Sequence, residues 1–396
     1  MFEILEKAPP DAIFGLEEAY KKDSNPNKVN LTIGVYQDDA GTTPIFRTVK
    51  LAEARLLEEE DNKSYLNIDG SAAYSAAVQE LVFGAGHEVI ASERAATAQA
   101  PGGTAALRVG AEFLKRIKPD ARIWVSNPTW PNHPNVFGAA GLAVETYPYF
   151  DAATNGLAFD EMIAALKEIP IGDIVLLHGS CHNPTGADPT PEQWVQIADV
   201  IAERGLLPFV DFAYQGLGDG LREDTAGILT LCRSGSEMLI SNSFSKNFGL
   251  YSERVGALTV VTPSAEAAQS VLSHVKKCIR ANYSNPPSHG ASIVITILND
   301  PDLRAQWECE VQAMCDRINK VRKLFVGTLA AKGVTRDFSF IERQRGMFSY
   351  TGLTKEQAQE LREKHSVYIL DSGRVNVAGM NEHNIDAICE AIAKVL

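Results

Sequence analysis

Between about residues 100 and 260, short apolar runs alternate with stretches of helical periodicity, and this alternation restricts the possible folds more than any other feature. The runs are Arg122 to Val125, Asp173 to Leu177, Leu206 to Val210, Met238 to Ile240 and Gly256 to Val261. Between them lie segments such as Thr104 to Ile117 and Glu192 to Arg204, where Trp194, Ile197, Ala198 and Ile201 share one helical face. Apolar strands separated by amphipathic helices predict a largely parallel sheet with helices on both sides. Farther on, Leu303, Trp307, Val311, Met314, Ile318, Val321, Phe325 and Leu329 recur every three or four residues. They predict one helix of about 30 residues, roughly 45 Å long. Beyond it the pattern changes. Met347 to Tyr350, Val367 to Leu370 and Arg374 to Val377 read as strands, set between a helix opened by a Thr354/Gln357 capping box and a final helix near Leu396. That is an α+β second domain, completed by the segment before Phe46.

The 396 residues, 45% of them hydrophobic, suffice for two cores. A formal charge of −13 with no Lys/Arg block argues against nucleic-acid or anionic-membrane partners. An anionic substrate must then be caught by a few placed arginines. Six cysteines without a CxxC pair suit a reducing compartment. The opening MFEILEKAPPDAIFGL has acids where a signal peptide needs bases. No stretch approaches the ~18 apolar residues of a membrane span. The expectation is a cytoplasmic enzyme or binding protein.

In an open α/β sheet, ligands sit beyond the carboxyl ends of the strands. Here those ends are polar: Ser126-Asn127-Pro128-Thr129-Trp130, then HGSCHNPTG with His182 and Asn183, then Asp211 and Tyr214, then Ser243-Phe244-Ser245-Lys246. Asp211 follows an apolar run, so its carboxylate needs a cationic partner. A structural salt bridge or helix cap is the plain alternative. Lys246 at a buried strand end can lose its proton and become a nucleophile, whereas most lysines are merely solvated. Gly102-Gly103-Thr104 before a helix offers bare amides to an anion, or simply makes a tight turn. His178, Cys181 and His182 are poor metal ligands as a set, because a strand end and an NPTG turn do not bring them together as a helix would. No metal is expected.

Taken in order, SNSFSKNFGLYSERVG (241–256), CHNPTG (181–186), DFAYQG (211–216), RANYSNPP (280–287) and SGRVNVAG (372–379) resemble the fold-type I pyridoxal-phosphate enzymes, specifically the aspartate and aromatic aminotransferases. The resemblance covers essentially the whole chain. It implies an α/β fold: a large domain (47–313) with a mostly parallel seven-stranded sheet flanked by helices, a smaller α+β domain (15–46 and 314–396) and an N-terminal arm (1–14). It implies pyridoxal 5'-phosphate as cofactor, with Lys246 holding it covalently and then moving the substrate's proton. Asp211 would keep the pyridine nitrogen protonated. Asn183 and Tyr214 would bond the ring hydroxyl, and Trp130 would stack on the ring, though a tryptophan there can also be core filling. Gly103, Thr104, Ser243 and Arg254 would grip the phosphate, with Tyr65 reaching in from a second subunit. Arg374 would clamp the substrate's α-carboxylate. Arg280 would cross a homodimer interface to the side-chain carboxylate, unless it is a helix-end arginine facing the negative dipole. Gly34, Val35 and Tyr36 match a segment that closes over the substrate. His133 and His182 match supporting groups. The implied reaction moves the amino group of L-aspartate to 2-oxoglutarate by a ping-pong mechanism. An aromatic aminotransferase with dual specificity would keep both arginines. A β-lyase or decarboxylase on the same cofactor fits less well, and a transcription regulator would need a basic helix-turn-helix that residues 1 to 46 lack.

Overall fold

Seven strands build the central sheet: β1 (Ala95–Ala100), β2 (Arg122–Asn127), β3 (Ala143–Pro148), β4 (Ile174–His178), β5 (Leu207–Phe212), β6 (Met238–Ser243) and β7 (Gly256–Val261). The computed structural model describes residues 2–7, 12–233 and 235–396, so residues 1 and 8–11 of the expected N-terminal arm lie outside the described residues. Across the sheet the order is β1-β7-β6-β5-β4-β2-β3. Only β7 runs antiparallel to its neighbours. The expected mixed α/β fold with a mostly parallel seven-stranded sheet is therefore borne out.

Two of these strands had no apolar signal. β1 reads AATAQA, and alanine is a weak strand former. Tertiary packing overrides that weakness, because Ala98 and Ala100 are small enough for Leu107, Val275 and Ile279 to join them in one core. The helix supplying those last two side chains, Ala265–Asn282, also escaped the periodicity reading. β3 is partly exposed at the sheet edge, so its AVETYP pattern carries little burial signal. The helices Gly103–Ile117 and Pro191–Glu203 lie within one residue of expectation, the latter opened by a Thr190/Gln193 capping box.

By contacts the chain divides into two units. The larger comprises 44–317 and 344–346; the smaller comprises the described residues up to Thr43, 318–343 and 347–396. The long helix, Pro301–Ala331, has 31 residues and contributes to both. In the larger unit its buried Trp307 donates to the Asn247 carbonyl at 2.8 Å and stacks on Phe248 at 4.4 Å. The segment after Lys246 is thus fixed from below.

The smaller unit has its own core, including Leu31, Phe325, Ile341, Val377 and Ile388. Val29–Asn30 pairs in parallel with Val367–Tyr368, and Phe348–Tyr350 pairs antiparallel with Arg374–Asn376. The strand expected over Val367 to Leu370 ends at Tyr368, since Leu370 and Arg374 close a turn through a 3.2 Å backbone hydrogen bond. The Thr354/Gln357 capping box opens Lys355–His365 as expected.

Candidate functional site

Antiparallel β7 brings sequence-remote segments to one edge of the sheet. Its first residue, Gly256, pairs with Ser243 at the end of β6 and with Ala100 at the end of β1. A β-carbon on Gly256 would come within 2.6 Å of both the Asn242 carbonyl and Gly102, so only glycine fits. Gly102 (φ 82°) turns the chain into the 15-residue helix that starts at Gly103, and no side chain caps that helix. Its first amides are left to an external acceptor. The Arg254 guanidinium sits against Gly102, where a β-carbon would come within 2.4 Å of Nη2, and its Nη1 donates to the Tyr251 carbonyl at 3.0 Å. Ser243 lies behind Gly103. Uncapped amides, a hydroxyl and a guanidinium make a cradle for a phosphate-sized anion.

On β5, Asp211 is buried and opposite His178 in register. The partner it finds is His133, whose Nε2 lies 3.0 Å from Oδ2; His133 Nδ1 lies 2.7 Å from the Thr129 hydroxyl. Burial works to raise the Asp211 carboxyl, but the His133 hydrogen bond and the nearby positive charges outweigh it and hold the group below its usual value. The hydrogen bond to His133 is made at Oδ2, which leaves Oδ1 to receive a ligand's N–H. His178 has neither ring nitrogen bonded. Burial first, then the His133 charge, take it down to about 3, so it is neutral. His182 is likewise lowered by burial; its Nε2 lies 2.9 Å from the Ser126 hydroxyl and its Nδ1 2.8 Å from that of Thr185.

Among the described residues, the set of three that does bring ligand atoms within 4.8 Å of one another is His133, His178 and Asp211. This differs from the His178, Cys181, His182 trio considered from sequence. Cys181 points its sulfur at the Tyr214 carbonyl instead, 3.9 Å away.

Lys246 extends from the turn after β6 with Nζ 4.9 Å from the centroid of the Tyr214 ring. Burial, aided by the Arg254 charge and opposed by Asp211, brings its amine down to about 8. The Asn183 side-chain amide donates to the Tyr214 hydroxyl at 3.5 Å. Trp130, half-buried, meets the edge of His133 at 5.2 Å and also packs on the sheet core. Eight residues singled out from sequence, Gly103, Thr104, Asn183, Asp211, Tyr214, Ser243, Lys246 and Arg254, thus belong to the segments at this sheet edge, with Trp130 on the loop after β2. Asp188, which holds the NPTG turn, was missed. Its only sequence signal is an acid two residues past that turn.

Tyr65 and Arg280 are elsewhere. Tyr65 is 93% exposed in the isolated chain, and Arg280, also exposed, bonds the Ser284 hydroxyl at the end of its helix. Both remain available to a second chain. In the smaller unit, Arg374 is fully buried, donates to the Thr32 carbonyl and lies 4.2 Å over the Phe348 ring. Asn376 holds the Ile33 and Val35 carbonyls at 2.7 and 2.8 Å, and Gly34 between them leaves room for Phe348, whose Cζ would come within 2.7 Å of a β-carbon.

A mostly parallel sheet thus carries an anion cradle, a buried carboxylate and a lysine of lowered basicity, the kind of perturbed cluster that marks a functional site. The sequence matches the family model "aminotransferase class I and II" over residues 26–392, and the chain belongs to that family. It is 53% identical to the aspartate aminotransferase of Escherichia coli (strain K12) over 396 residues, covering both chains completely. It is 46% identical to the aromatic-amino-acid aminotransferase of the same strain over 397 residues, again covering both. Its fold matches the crystal structure of the aromatic-amino-acid aminotransferase from Burkholderia pseudomallei covalently bound to pyridoxal phosphate. That match has a TM-score of 0.98 and 48% identity, and it covers 100% of this chain and 99% of the other.

Proposed function

We propose that this protein is a pyridoxal-phosphate-dependent aminotransferase that moves the amino group of L-aspartate to 2-oxoglutarate, yielding oxaloacetate and L-glutamate. The observation that carries this reading is Lys246: an amine lowered to about 8 at the same sheet edge as the Asp211–His133 pair and an uncapped helix start with Arg254. The residues fit the cofactor. Gly103, Thr104, Ser243 and Arg254 would hold its phosphate, and Oδ1 of Asp211 would receive its ring N–H. Asn183 and Tyr214 would bond its ring hydroxyl, and Trp130 would cover one face.

When bound, pyridoxal phosphate supplies a carbonyl carbon for amines and an electron-withdrawing ring next to the substrate's α-carbon. The protein supplies the rest. Lys246, whose amine is brought down to about 8, would move the proton between the substrate's α-carbon and the cofactor carbon. Asp211, held below its usual value by the His133 hydrogen bond, would keep a proton on the ring nitrogen. His178 and His182 stay neutral and add no competing charge. Tyr214 lies beside the amine it tunes.

Arg374 would bind the α-carboxylate through its planar fork, and Gly34 with its neighbours would close over the substrate and exclude water. Both belong to the small domain proposed for 15–46 and 314–396, the cofactor to the large domain of 47–313. We place Tyr65 and Arg280 in the site of a second copy, making the working unit a homodimer. Their exposure supports that assignment. A cytoplasmic location agrees with the cysteine usage, and no helix among the described residues is long and apolar enough to cross a membrane.

Relatives of 48–53% identity named aspartate aminotransferase favour aspartate as the main donor. The B. pseudomallei structure supports a second reading, dual dicarboxylic and aromatic specificity. The test is spectroscopic. The visible band of the cofactor-loaded protein should shift when aspartate is added and return with 2-oxoglutarate or oxaloacetate. Failure of the band to respond to aspartate would refute the assignment, and the ratio of kcat/KM for aspartate over phenylalanine decides between the two specificities.

A further inference from the structure

Asn183 sits on a backbone that would not hold its shape unaided. Cys181, two residues earlier, adopts φ 55°, a left-handed conformation that disfavours residues with a β-carbon. The turn tightens at once, with the Gly186 amide donating to the His182 carbonyl at 2.7 Å. Two contacts outside the turn hold it. The Arg345 amide donates to the Gly186 carbonyl at 2.6 Å, and Gly346 leans on Cys181 so closely that a β-carbon would come within 2.3 Å of the cysteine's. The third contact is the Asp188 carboxylate. Its Oδ2 accepts the Cys181 amide at 2.6 Å and its Oδ1 accepts the His182 amide at 2.8 Å. Consecutive amides around a left-handed residue form a concave anion seat, and here a side chain of the same loop fills it.

We propose that Asp188 is a positioning residue for the reaction: by occupying the seat made by the Cys181 and His182 amides, it aims Asn183, and through Asn183 the Tyr214 hydroxyl, at the cofactor. This deepens the functional reading above and rests on it. The chain of contacts is continuous. Asp188 holds the two amides just before Asn183, Asn183 donates to the Tyr214 hydroxyl at 3.5 Å, and the Tyr214 ring lies 4.9 Å from the Lys246 nitrogen. The His182 ring fixes the same turn from its other side, bonded to Ser126 and Thr185 and stacked on Tyr149 at 3.9 Å. Maintaining an acid here is costly. Burial raises the Asp188 carboxyl to about 6 against the two amides, with Asp224 adding to the rise and Arg345 opposing it. The carboxylate is spent on two backbone amides, so its role is exerted through the loop it shapes.

Asparagine is the informative replacement. Asp188→Asn keeps one acceptor oxygen but turns an NH2 toward the second amide, so one of the two hydrogen bonds is lost with almost no change in volume. The measurement is the pH midpoint of the visible band of the cofactor-loaded protein, for wild type, Asp188→Asn, Asn183→Ala and the double variant. The expected midpoint for Asp188→Asn moves in the same direction as for Asn183→Ala, by about half a unit, as the loss of one hydrogen bond implies. The double variant should move no farther than Asn183→Ala alone, since the one residue acts through the other. The kcat/KM for aspartate should fall about three- to tenfold in Asp188→Asn. A wild-type midpoint in Asp188→Asn beside a shifted one in Asn183→Ala would overturn the proposal. So would shifts that add in the double variant, which is what loosening at large would produce. If wild type itself gains no visible band with pyridoxal phosphate, the functional reading fails first and takes this inference with it.

Discussion

Replacing Lys246 with methionine should make the cofactor-free protein more stable at neutral pH, by an amount that rising pH erases. The lysine's amine has an ordinary value of 10.5 and is brought down to about 8 by burial, with Arg254 assisting and Asp211 opposing. That drop corresponds to about 3 kcal/mol of folding stability forfeited at pH 7. The sign follows from proton counting. Above about 10.5 the amine is neutral in both folded and unfolded chains and carries no penalty. As pH falls the unfolded chain binds the proton first, and below about 8 the penalty is complete and constant. Methionine keeps the length and apolar stem but carries no charge to desolvate. Urea unfolding of both cofactor-free proteins should give the methionine variant an advantage of about 2–3 kcal/mol at pH 7, narrowing through pH 9 and vanishing near pH 11. An equal or lower stability of the variant at pH 7, or a gap unchanged between pH 7 and 11, would refute the reasoning. The site would then not be one where function is held at the expense of stability.

Capture of pyridoxal phosphate by the cofactor-free protein needs the neutral amine, so its rate, followed by stopped-flow absorbance, should rise with pH and level off above about 8; a rise continuing past pH 10 would contradict the lowered value. Asp211→Ala should retain the cofactor through its phosphate yet lose at least about a hundredfold in kcat, as loss of a preorganised charge of ~3 kcal/mol implies; near-native turnover would remove Asp211 from the mechanism. Arg280→Leu should cost aspartate roughly 30-fold or more in kcat/KM and leave phenylalanine little changed; equal losses would make Arg280 structural. Mixing inactive Lys246→Ala and Arg280→Ala chains should restore activity toward aspartate, because one site per hybrid holds both native residues; confirmed subunit exchange without activity would place Arg280 outside its neighbour's site.

Much of this protein was legible in the order of its residues. Apolar runs bounded by helical periods located five of the seven strands and the long helix, because burial on both faces of a parallel sheet leaves a local trace in side-chain type. The polar residues at the ends of those runs located most of the site for a related reason: strand ends are where an open sheet admits a ligand. What the sequence left undecided depends on contacts between distant segments. AATAQA is a strand only because Val261 through Gly256 pair with it along its whole length and small side chains admit the helices above. The partner of Asp211 is His133, 78 residues away, and no spacing rule joins them. Asp188 became visible as a loop anchor only once its oxygens were seen on the Cys181 and His182 amides. The basicity of Lys246 belongs to the tertiary structure as well: the lysine's place at a strand end is read from the chain, but its drop to about 8 is produced by folding, which removes water and brings up the Arg254 charge against the opposing pull of Asp211.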